Sequence, residues 1–425
     1  MSRRPLPRGY PLMPGAAPRI FFLSCNETPW GGSEELWARA ALSLAEAGVE
    51  VRAAKPRVDR DAAPVRALEQ RGIRVSDLGR VSLLPGKLMI LLQYLLRPAS
   101  RAFQLLPLWL QIKRAKPDLV VLSQGGNWDG VHMGWVLGQI GVPYALICQK
   151  ATDLYWPPDH IRPKVKAMAL GARHMFCVSR HNLQLFEEQI AAPLPRSTVV
   201  RNPFLVDHAA PLPWPDSADD TVRLACVGRL YPMEKGQDLL LRVLSRPKWR
   251  DRKLVVDCYG AGVNAQGLAE MAQFLGCNQV RFHGHVDDVK EIWRTHHGLV
   301  LPSRAEGLPL VLVEAMLAGR VAVISRAGGS GEVVDDGKTG FLMAGYDEDG
   351  LDDALERAWQ ARSDWQRIGE DAATAIRAQV PLDPAGELAQ QLLALAQQSR
   401  VLAQTMDEAF AQDRGTVLAG DAASQ

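Results

Sequence analysis

Three kinds of pattern are missing from this sequence: a long apolar run, a CxxC pair and a His/Cys cluster with metal-ligand spacing. A membrane-spanning helix needs roughly 18 or more consecutive apolar residues, and structural zinc sites need paired Cys or His ligands. The six cysteines stand apart and fall mostly in predicted strands, as reduced core residues do. The apolar run at 20–23 is too short for a secretory signal peptide. We therefore expect a cytoplasmic protein with no metal site.

The net charge is small, but the charges are unevenly distributed. Residues 1–200 hold 26 Lys and Arg against 15 Asp and Glu, and the totals of 49 and 47 leave 23 against 32 for the rest of the chain. A basic first half favours contact with something anionic, such as a lipid surface, although a chance surface bias explains it equally well. We expect no nucleic-acid partner.

Predicted strands and helices alternate along most of the chain. We expect strands of the first half at 20–24, 50–54, 75–78, 118–123, 144–148, 174–178 and 198–200, and strands of the second half at 223–227, 254–259, 280–284, 298–301, 321–325 and 340–343. Because 425 residues exceed one ordinary core, this alternation predicts two doubly wound, Rossmann-like α/β domains with parallel sheets. Open sheets bind ligands at the C-terminal ends of their strands, so we expect the site in a cleft between two facing sheets.

Breaks in the alternation predict the domain boundaries. We expect a disordered N-terminus at 1–17, a first domain at 18–204, a Pro-rich acidic linker at 205–220 and a second domain at 221–377. Helices at 378–413 are expected to pack back across the domain pair, and 414–425 to form a flexible tail. The apolar positions that predict this packing are Leu388, Leu392, Leu395 and Leu402.

The segment 302–318 places two carboxylates in an otherwise apolar stretch. Pro309 stands where a helix is expected to begin, because its fixed φ and missing N–H suit a first helical residue. Glu306 precedes that helix and Glu314 lies inside it, eight positions on, so both side chains can point into one cleft. A buried carboxylate is unfavourable without partners. The pair therefore indicates a binding role, with a salt bridge across the cleft as the alternative.

Two further features follow the first strand of each half. Arg229 and Lys235 lie between a strand and the N-terminus of a helix expected near residue 236 or 237, which favours a diphosphate site over a solvated charged loop. Gly31 and Gly32 follow the first strand of the chain. Paired glycines let backbone approach a diphosphate closely, although a plain turn would also use them.

Four motifs in fixed order give the chain a family resemblance: GRLYPMEKG at 228–236, FHGHV at 282–286, LPSRAEGLPLVLVEAMLAG at 301–319 and GGSGEVVDDGKTGFL at 328–342. Together they resemble the second half of a family 4 retaining glycosyltransferase of GT-B fold, and the two glutamates match that family's Glu–seven–Glu signature. The resemblance is strong over 221–345. In the first half it rests on GGSEE at 31–35 and on the strand at 116–123.

The resemblance implies specific roles around a nucleotide diphosphate-sugar donor of UDP or GDP type. Arg229 and Lys235 would hold the donor diphosphate and Glu314 the ribose hydroxyls. Glu306, with the backbone N–H groups of Gly307 and Leu308, would hold the sugar hydroxyls. The remaining donor-binding positions are Gly228, Val286 at the base, Leu310 and the Gly31–Gly32 loop. The acceptor would be a glycan or a lipid-linked molecule, with no cofactor or metal required.

One departure from the family concerns the acceptor side. Family members place a His after the strand at 144–148, but here Gln149 stands in that position. Gln149, Lys150 and Asp153 are therefore all candidates for the polar group nearest the reacting sugar, with Gln149 our choice for the catalytic set. His174 and His181 are expected on a helix surface.

Several other signals compete with this interpretation. The run at 260–265 fits the dinucleotide fingerprint GxGxxA, but the acid expected after the next strand is missing. Residues 347–349 have the DxD form of a metal site, but we expect them to be solvated. The leucine-rich basic segment 83–116 fits either core helices or peripheral contact with an anionic membrane. A GT-B epimerase or phosphorylase, or an inactive sugar-nucleotide-binding subunit, are the alternative functions.

Overall fold

A computed structural model describes residues 17–27, 30–78, 100–216, 220–286 and 288–422, with the side chains of 100–107 and 406–422 left out. Residues 1–16 of the predicted disordered N-terminus at 1–17, residues 83–99 of the basic segment 83–116, and linker residues 217–219 lie outside that description. The described chain forms two α/β domains, each built on an all-parallel sheet.

The first domain contains a seven-stranded sheet in the order β3-β2-β1-β4-β5-β6-β7. Its strands are β1 Arg19–Ser24, β2 Glu50–Lys55, β3 Arg74–Asp77, β4 Leu119–Gln124, β5 Tyr144–Cys148, β6 His174–Cys177 and β7 Ser197–Val199. Its helices are α1 Gly32–Glu46, α2 Ala63–Gln70, α3 Ser100–Ala115, α4 Val131–Gln139, α5 Arg162–Gly171 and α6 Arg180–Ile190. Strands β4 and β5 are buried along their whole length because helices cover both faces of the sheet.

The second domain contains a six-stranded sheet in the order β10-β9-β8-β11-β12-β13. Its strands are β8 Val222–Val227, β9 Leu254–Tyr259, β10 Val280–Gly284, β11 Gly298–Leu301, β12 Val321–Ile324 and β13 Phe341–Leu342. Its helices are α7 Pro232–Lys235, α8 Gln237–Leu244, α9 Pro247–Arg250, α10 Ala265–Phe274, α11 Val289–Thr295, α12 Leu310–Leu317, α13 Ser330–Val333, α14 Glu348–Gln360 and α15 Trp365–Arg377. Helices α7 and α12 follow the neighbouring strands β8 and β11, so their first turns lie at the same edge of the sheet.

The last helix, α16 Pro384–Ala422, joins the second domain back to the first. Leu388 and Leu392 are fully buried in the core that contains Leu36 of α1, which confirms that the C-terminal helix packs on the first domain. Leu402 does not take part, because half of its surface is exposed at 50%. The expected tail is helical as far as Ala422, and its flexibility stays a prediction, as do the domain boundaries.

Every predicted strand is present, and each bound either matches the prediction or differs from it by one residue. One assignment to a surface was wrong. His174 does not lie on a helix: it begins β6, where its Nε2 is 2.7 Å from the hydroxyl of Thr198. His181 does lie in a helix, α6.

Candidate functional site

The loop between β11 and α12 supplies unpaired backbone donors. Pro309 is the residue before the helix rather than its first residue, since its ψ of 123° is not helical. Among the residues that the structure describes, no oxygen accepts from the N–H groups of Gly307, Leu308 or Leu310. These donors precede a helix whose first turn adds partial positive charge. They can therefore bind hydroxyl or phosphate oxygens.

Glu306 lies buried in that loop and has two partners. Its Oε1 lies 2.6 Å from Nζ of Lys235 and accepts a 2.7 Å hydrogen bond from the hydroxyl of Ser303. The pair brings together two side chains that are 71 residues apart, as the sequence predicted for one site. The salt bridge foreseen as the alternative for a buried carboxylate is thus present at Glu306.

Lys235 and Arg229 frame the end of β8. Lys235 is the last residue of the short helix α7, not part of a loop as expected, and its ammonium group is mostly buried. Arg229 is more than half exposed, and its Nη2 lies 2.8 Å from Oε2 of Glu234. The sequence predicted both cations, but it gave no role to the carboxylate of Glu234 that lies between them in the chain.

Glu234 connects the two domains. Its Oε1 forms a 2.6 Å ion pair with Nζ of Lys150, a residue that follows β5 in the first domain. Its Oε2 forms the ion pair with Arg229. Its backbone carbonyl accepts from the N–H groups of Arg304 and Ala305. Lys150 and Arg229 therefore share one buried carboxylate, which places a cation from each domain at the same point of the cleft.

Glu314 is 4% exposed, and within the described part of the chain its carboxylate accepts one hydrogen bond, from the N–H of Leu205 in the linker to Oε1 at 3.0 Å. Burial raises the pKa of this carboxyl to about 7. The Leu205 N–H and the charge of Arg39 lower the pKa by less, and the charge of Glu35 raises it further. Arg39 and Glu35 belong to α1, so Glu314 faces the first domain. The described residues offer it no salt bridge, so that alternative was wrong for Glu314.

The paired glycines bring the first domain against α12. Gly31 precedes α1, and a Cβ placed on Gly32 would lie 2.8 Å from Cδ1 of Leu310. Gly32 therefore packs against the side chain of the first helical residue of α12, which would have to shift to admit a larger residue. The predicted approach of this loop to a diphosphate stays a prediction.

Behind that loop lies a buried carboxylate that the sequence analysis did not identify. Glu34 accepts a 2.9 Å hydrogen bond from the hydroxyl of Ser24 at the end of β1 and another from the indole of Trp37. Burial raises its pKa. These bonds attach the first turn of α1 to β1 and so fix the position of the Gly31–Gly32 loop. The only available signal was an acidic residue in the first turn of an apolar helix, which usually indicates capping.

Gly307 lies at a close contact between the domains. A Cβ on Gly307 would lie 2.0 Å from the carbonyl oxygen of Gln149 and 2.8 Å from Cγ2 of Val178. The carbonyl of Gly307 accepts a 2.6 Å hydrogen bond from the N–H of Gly329, whose own Cβ position lies 2.6 Å from Cβ of Ser179. Backbone packs directly on backbone here, so the cleft is closed at this end.

We expect Gly307→Ala to hold the domains apart, because the contact it would strain is a backbone carbonyl that cannot rotate away. The variant should have a larger radius of gyration in small-angle X-ray scattering than the parent. Its kcat/KM for the reaction carried out in the cleft should be at least tenfold lower. Gly267→Ala is the matched control, since a Cβ there meets nothing within 4 Å and alanine in helix α10 should add about 0.5–1 kcal/mol of stability. An unchanged radius for both variants would contradict the prediction.

Gln149 occupies the seam between the domains. Its side chain is 6% exposed, and its Oε1 accepts a 2.8 Å hydrogen bond from Nδ2 of Asn202. Gln149 Nε2 and Asn202 Oδ1 are buried and have no partner among the described groups. The amide pair thus leaves one donor and one acceptor unused, a set that a hydroxyl group can satisfy. Asp153, the third candidate, is exposed, and nothing links it to this pair.

Gly228 and the competing GxGxxA run pack on each other's loops in the second domain. The N–H of Gly228 is donated to the carbonyl of Tyr259, so this amide is not free for a ligand. The GxGxxA run packs on the same loop: a Cβ on Gly260 would lie 2.0 Å from the carbonyl oxygen of Gly228. Val286 is partly buried in the core of the second domain, and its contact with a base stays a prediction.

The DxD-like run is not a metal site in its present arrangement. Asp347 caps α14 through a 2.8 Å hydrogen bond from the N–H of Gly350, and Glu348 and Asp349 both pair with Arg246. Asp347 and Asp349 are exposed and Glu348 is partly exposed, so the run is solvated as expected, and its pairs with Arg246 are surface contacts. Within the described ranges, no group of three His, Cys, Asp or Glu side chains could hold a metal ion, and no helix is long and apolar enough to cross a bilayer.

Comparisons with known proteins support the second domain most strongly. A model of the family "Glycosyl transferases group 1" matches residues 221–361. D-inositol 3-phosphate glycosyltransferase 2 of Catenulispora acidiphila is 38% identical over 141 residues, 30% of this chain and 33% of that protein. The GDP-mannose-dependent alpha-(1-6)-phosphatidylinositol monomannoside mannosyltransferase of Mycolicibacterium smegmatis is 32% identical over 143 residues, 31% of this chain and 37% of that protein. The chain thus spans about a third of the length of the curated relatives that it matches.

The likeness to solved structures extends over both domains. Anabaena HepE, solved in complex with UDP, has a TM-score of 0.65 at 18% identity and covers 88% of this chain and 99% of its own. Sucrose-phosphate synthase from Thermosynechococcus elongatus has a TM-score of 0.66 at 17% identity and covers 92% of this chain and 100% of its own. These matches confirm the predicted GT-B fold.

Proposed function

We propose that the protein is a family 4 glycosyltransferase that moves a sugar from a nucleotide diphosphate-sugar to an acceptor hydroxyl with retention of configuration. The observation that supports this most is the group of Arg229, Lys235 and Glu306 beside the unpaired N–H groups of Gly307 and Leu308. All of them lie at the ends of β8 and β11, where an open sheet binds its ligands. The group 1 family match covers these residues.

The chemistry of the reaction explains why these residue types belong together. Breaking the bond between sugar and diphosphate develops negative charge on the leaving phosphate, and fixed cations stabilise that charge in the transition state. Lys235 and Arg229 supply two cations from one short segment, so no metal is required. Glu306 accepts hydrogen bonds from sugar hydroxyls, while the free N–H groups donate to sugar or phosphate oxygens.

Retention fits the polar groups across the cleft. A double-displacement mechanism needs a nucleophile facing the sugar, and Gln149, the residue proposed for that position, carries a neutral amide. A same-face reaction, in which the leaving phosphate accepts the proton of the incoming hydroxyl, needs no such group. Gln149 Nε2 and Asn202 Oδ1 would instead hold a sugar hydroxyl.

The donor is proposed to be of UDP or GDP type, and the acceptor a glycan or a lipid-linked molecule. The matched relatives are named for inositol phosphate and phosphatidylinositol mannoside acceptors, and one is named for GDP-mannose. Since those matches cover about a third of the chain, the acceptor is proposed from the class of the relatives and not from contacts in this protein. A cytoplasmic location and peripheral contact with an anionic membrane through 83–116 stay proposals of the same kind.

A second candidate is a non-catalytic sugar-nucleotide-binding subunit, which Gln149 in place of the family's His would favour. A panel of UDP, GDP and ADP and their sugars, read by thermal shift, should identify one base that raises the melting temperature by several degrees. The matching nucleotide sugar should then be hydrolysed slowly in the absence of acceptor. Stabilisation without hydrolysis would favour the binding subunit, and no stabilisation by any nucleotide would overturn both.

A further inference from the structure

The loop after β5 touches the second domain at two consecutive residues. A Cβ on Gly307 would lie 2.0 Å from the carbonyl oxygen of Gln149, and Nζ of the next residue, Lys150, lies 2.6 Å from Oε1 of Glu234. Only 19% of the Lys150 side chain and 9% of the Glu234 side chain are exposed. The ion pair is therefore mostly buried between the domains, where salt screens it little.

These contacts close a ring of three pairs of consecutive residues, 149–150, 234–235 and 306–307. The ring runs from 149–150 to 234–235 through one ion pair, on to 306–307 through a second ion pair, and back to 149–150 through backbone packing. Because consecutive Cα atoms are only about 3.8 Å apart, the ring is small. The ammonium groups of Lys150 and Lys235 therefore lie in the same part of the cleft.

The backbone on each side of the Lys150–Glu234 ion pair is held by its own domain. The carbonyl of Lys150 accepts a 3.6 Å hydrogen bond from the thiol of Cys148, at the end of β5. The carbonyl of Glu234 accepts from the N–H groups of Arg304 and Ala305, at 2.7 and 3.2 Å. The ammonium group of Lys150 is therefore preorganised, as an effective electrostatic contact requires.

Lys150 keeps hydrogen-bonding capacity beyond this ion pair. An ammonium group has three N–H donors, and among the described residues only Glu234 accepts from it. Burial raises the pKa of Asp129 and the charge of Lys150 partly opposes that rise, but these two residues form no ion pair within the described chain. Glu234 divides its two oxygens between Lys150 and Arg229. One carboxylate thus compensates two cations, which leaves donors and positive charge for an anion.

We propose that Lys150 is a third cation for the donor diphosphate, contributed by the first domain. The inference rests on the proposed function, in which Arg229 and Lys235 hold that diphosphate. It moves Lys150 from the acceptor side, where the sequence placed it, to the leaving group. Since Lys150 follows Gln149, the residue proposed to face the sugar, its ammonium group is assigned to the terminal phosphate, which carries the sugar.

This assignment makes the first domain sensitive to the number of phosphates. A nucleoside diphosphate would reach Lys150 and bind to both domains, whereas a nucleoside monophosphate lacks the phosphate that Lys150 holds. The difference between the two affinities therefore measures the contribution of Lys150, and a residue that merely joins the domains would not change it.

The test is isothermal titration of the full chain with UDP against UMP and with GDP against GMP. Lys150→Met should weaken binding of the preferred diphosphate roughly 10- to 100-fold, the loss expected for one charge-assisted hydrogen bond, and leave the monophosphate unaffected. Glu234 keeps Arg229 as a partner in this variant, so no buried carboxylate is left unpaired. Lys150→Arg retains the charge and should retain the preference for the diphosphate. Lys164→Met, at an exposed position of α5, is the matched control and should bind both nucleotides as the parent does.

The other results separate this inference from the proposed function. Equal losses for diphosphate and monophosphate in Lys150→Met would overturn the inference, because Lys150 would then act only through domain packing. Undiminished diphosphate affinity in Lys150→Met would also overturn it and leave the proposed function standing. If the parent binds no nucleoside diphosphate, both the inference and the proposed function are wrong.

Discussion

Lys235→Ala should lower kcat for donor hydrolysis and for sugar transfer by roughly 10²–10³-fold, the loss expected when one group that stabilises developing charge is removed. Lys235 is the buried cation of the site, and it is held 2.6 Å from Glu306 at the end of α7. Arg229 is more than half exposed and can move, so it cannot replace a fixed ammonium group. Steady-state measurement of nucleotide release at saturating donor provides the value.

Loss of structure must be separated from loss of catalysis in this experiment. Lys235→Ala leaves the buried carboxylate of Glu306 with only the Ser303 hydroxyl as a partner, which is destabilising in itself. Adding Glu306→Gln should recover the melting temperature without recovering activity. The matched control is Lys338→Ala, because Lys338 pairs with Asp335 on the surface. This variant should keep both the melting temperature and the activity of the parent. A double variant with recovered activity would remove Lys235 from the proposed mechanism.

Much of the fold could be predicted because buried parallel strands leave a strong local signal. Strand β5 was expected at 144–148 and is found there, since its five residues are all buried. The end of α12 was equally clear: Gly319 has a φ of +76°, a conformation that suits glycine at the end of a helix. The start of that helix was displaced by one residue, because a proline fits both the position before a helix and the first position in it.

The site was predicted where its residues lie in recognisable motifs and missed where segments without such motifs meet. Glu306 and Lys235 belong to two of the motifs, so their proximity could be expected. The Lys150–Glu234 pair joins residues 84 positions apart in two domains, and although Lys150 was a candidate for the acceptor side, nothing local pairs it with Glu234. The Gln149–Asn202 pair was missed for the same reason, since it depends on how the segment after β7 returns past β5.

The stability of the protein should fall as pH rises, and Glu314 is the residue that we expect to cause it. An unfolded glutamate titrates near 4.5, whereas burial raises the pKa of Glu314 to about 7 in the folded protein. Between these values the folded state binds more protons than the unfolded state, so the free energy of unfolding decreases with increasing pH. A shift of this size corresponds to a loss of roughly 3 kcal/mol between about pH 4.5 and pH 7.

Glu314→Gln should remove this loss and weaken donor binding at the same time. The amide keeps an oxygen for the N–H of Leu205 but carries no charge at any pH, so urea denaturation should give nearly equal stability to the parent at pH 4 and a gain of up to about 3 kcal/mol at pH 8. If Glu314 accepts from both ribose hydroxyls, the amide offers one acceptor where the carboxylate offers two, and nucleotide affinity should fall at least tenfold at pH 8. Glu370→Gln, at an exposed position of α15, is the control. It should change neither the stability nor the nucleotide affinity. If the variant gains stability but binds nucleotide as tightly as the parent, Glu314 does not contact the ribose. If the variant loses stability at pH 8, the carboxylate of Glu314 has a stabilising partner in the folded protein.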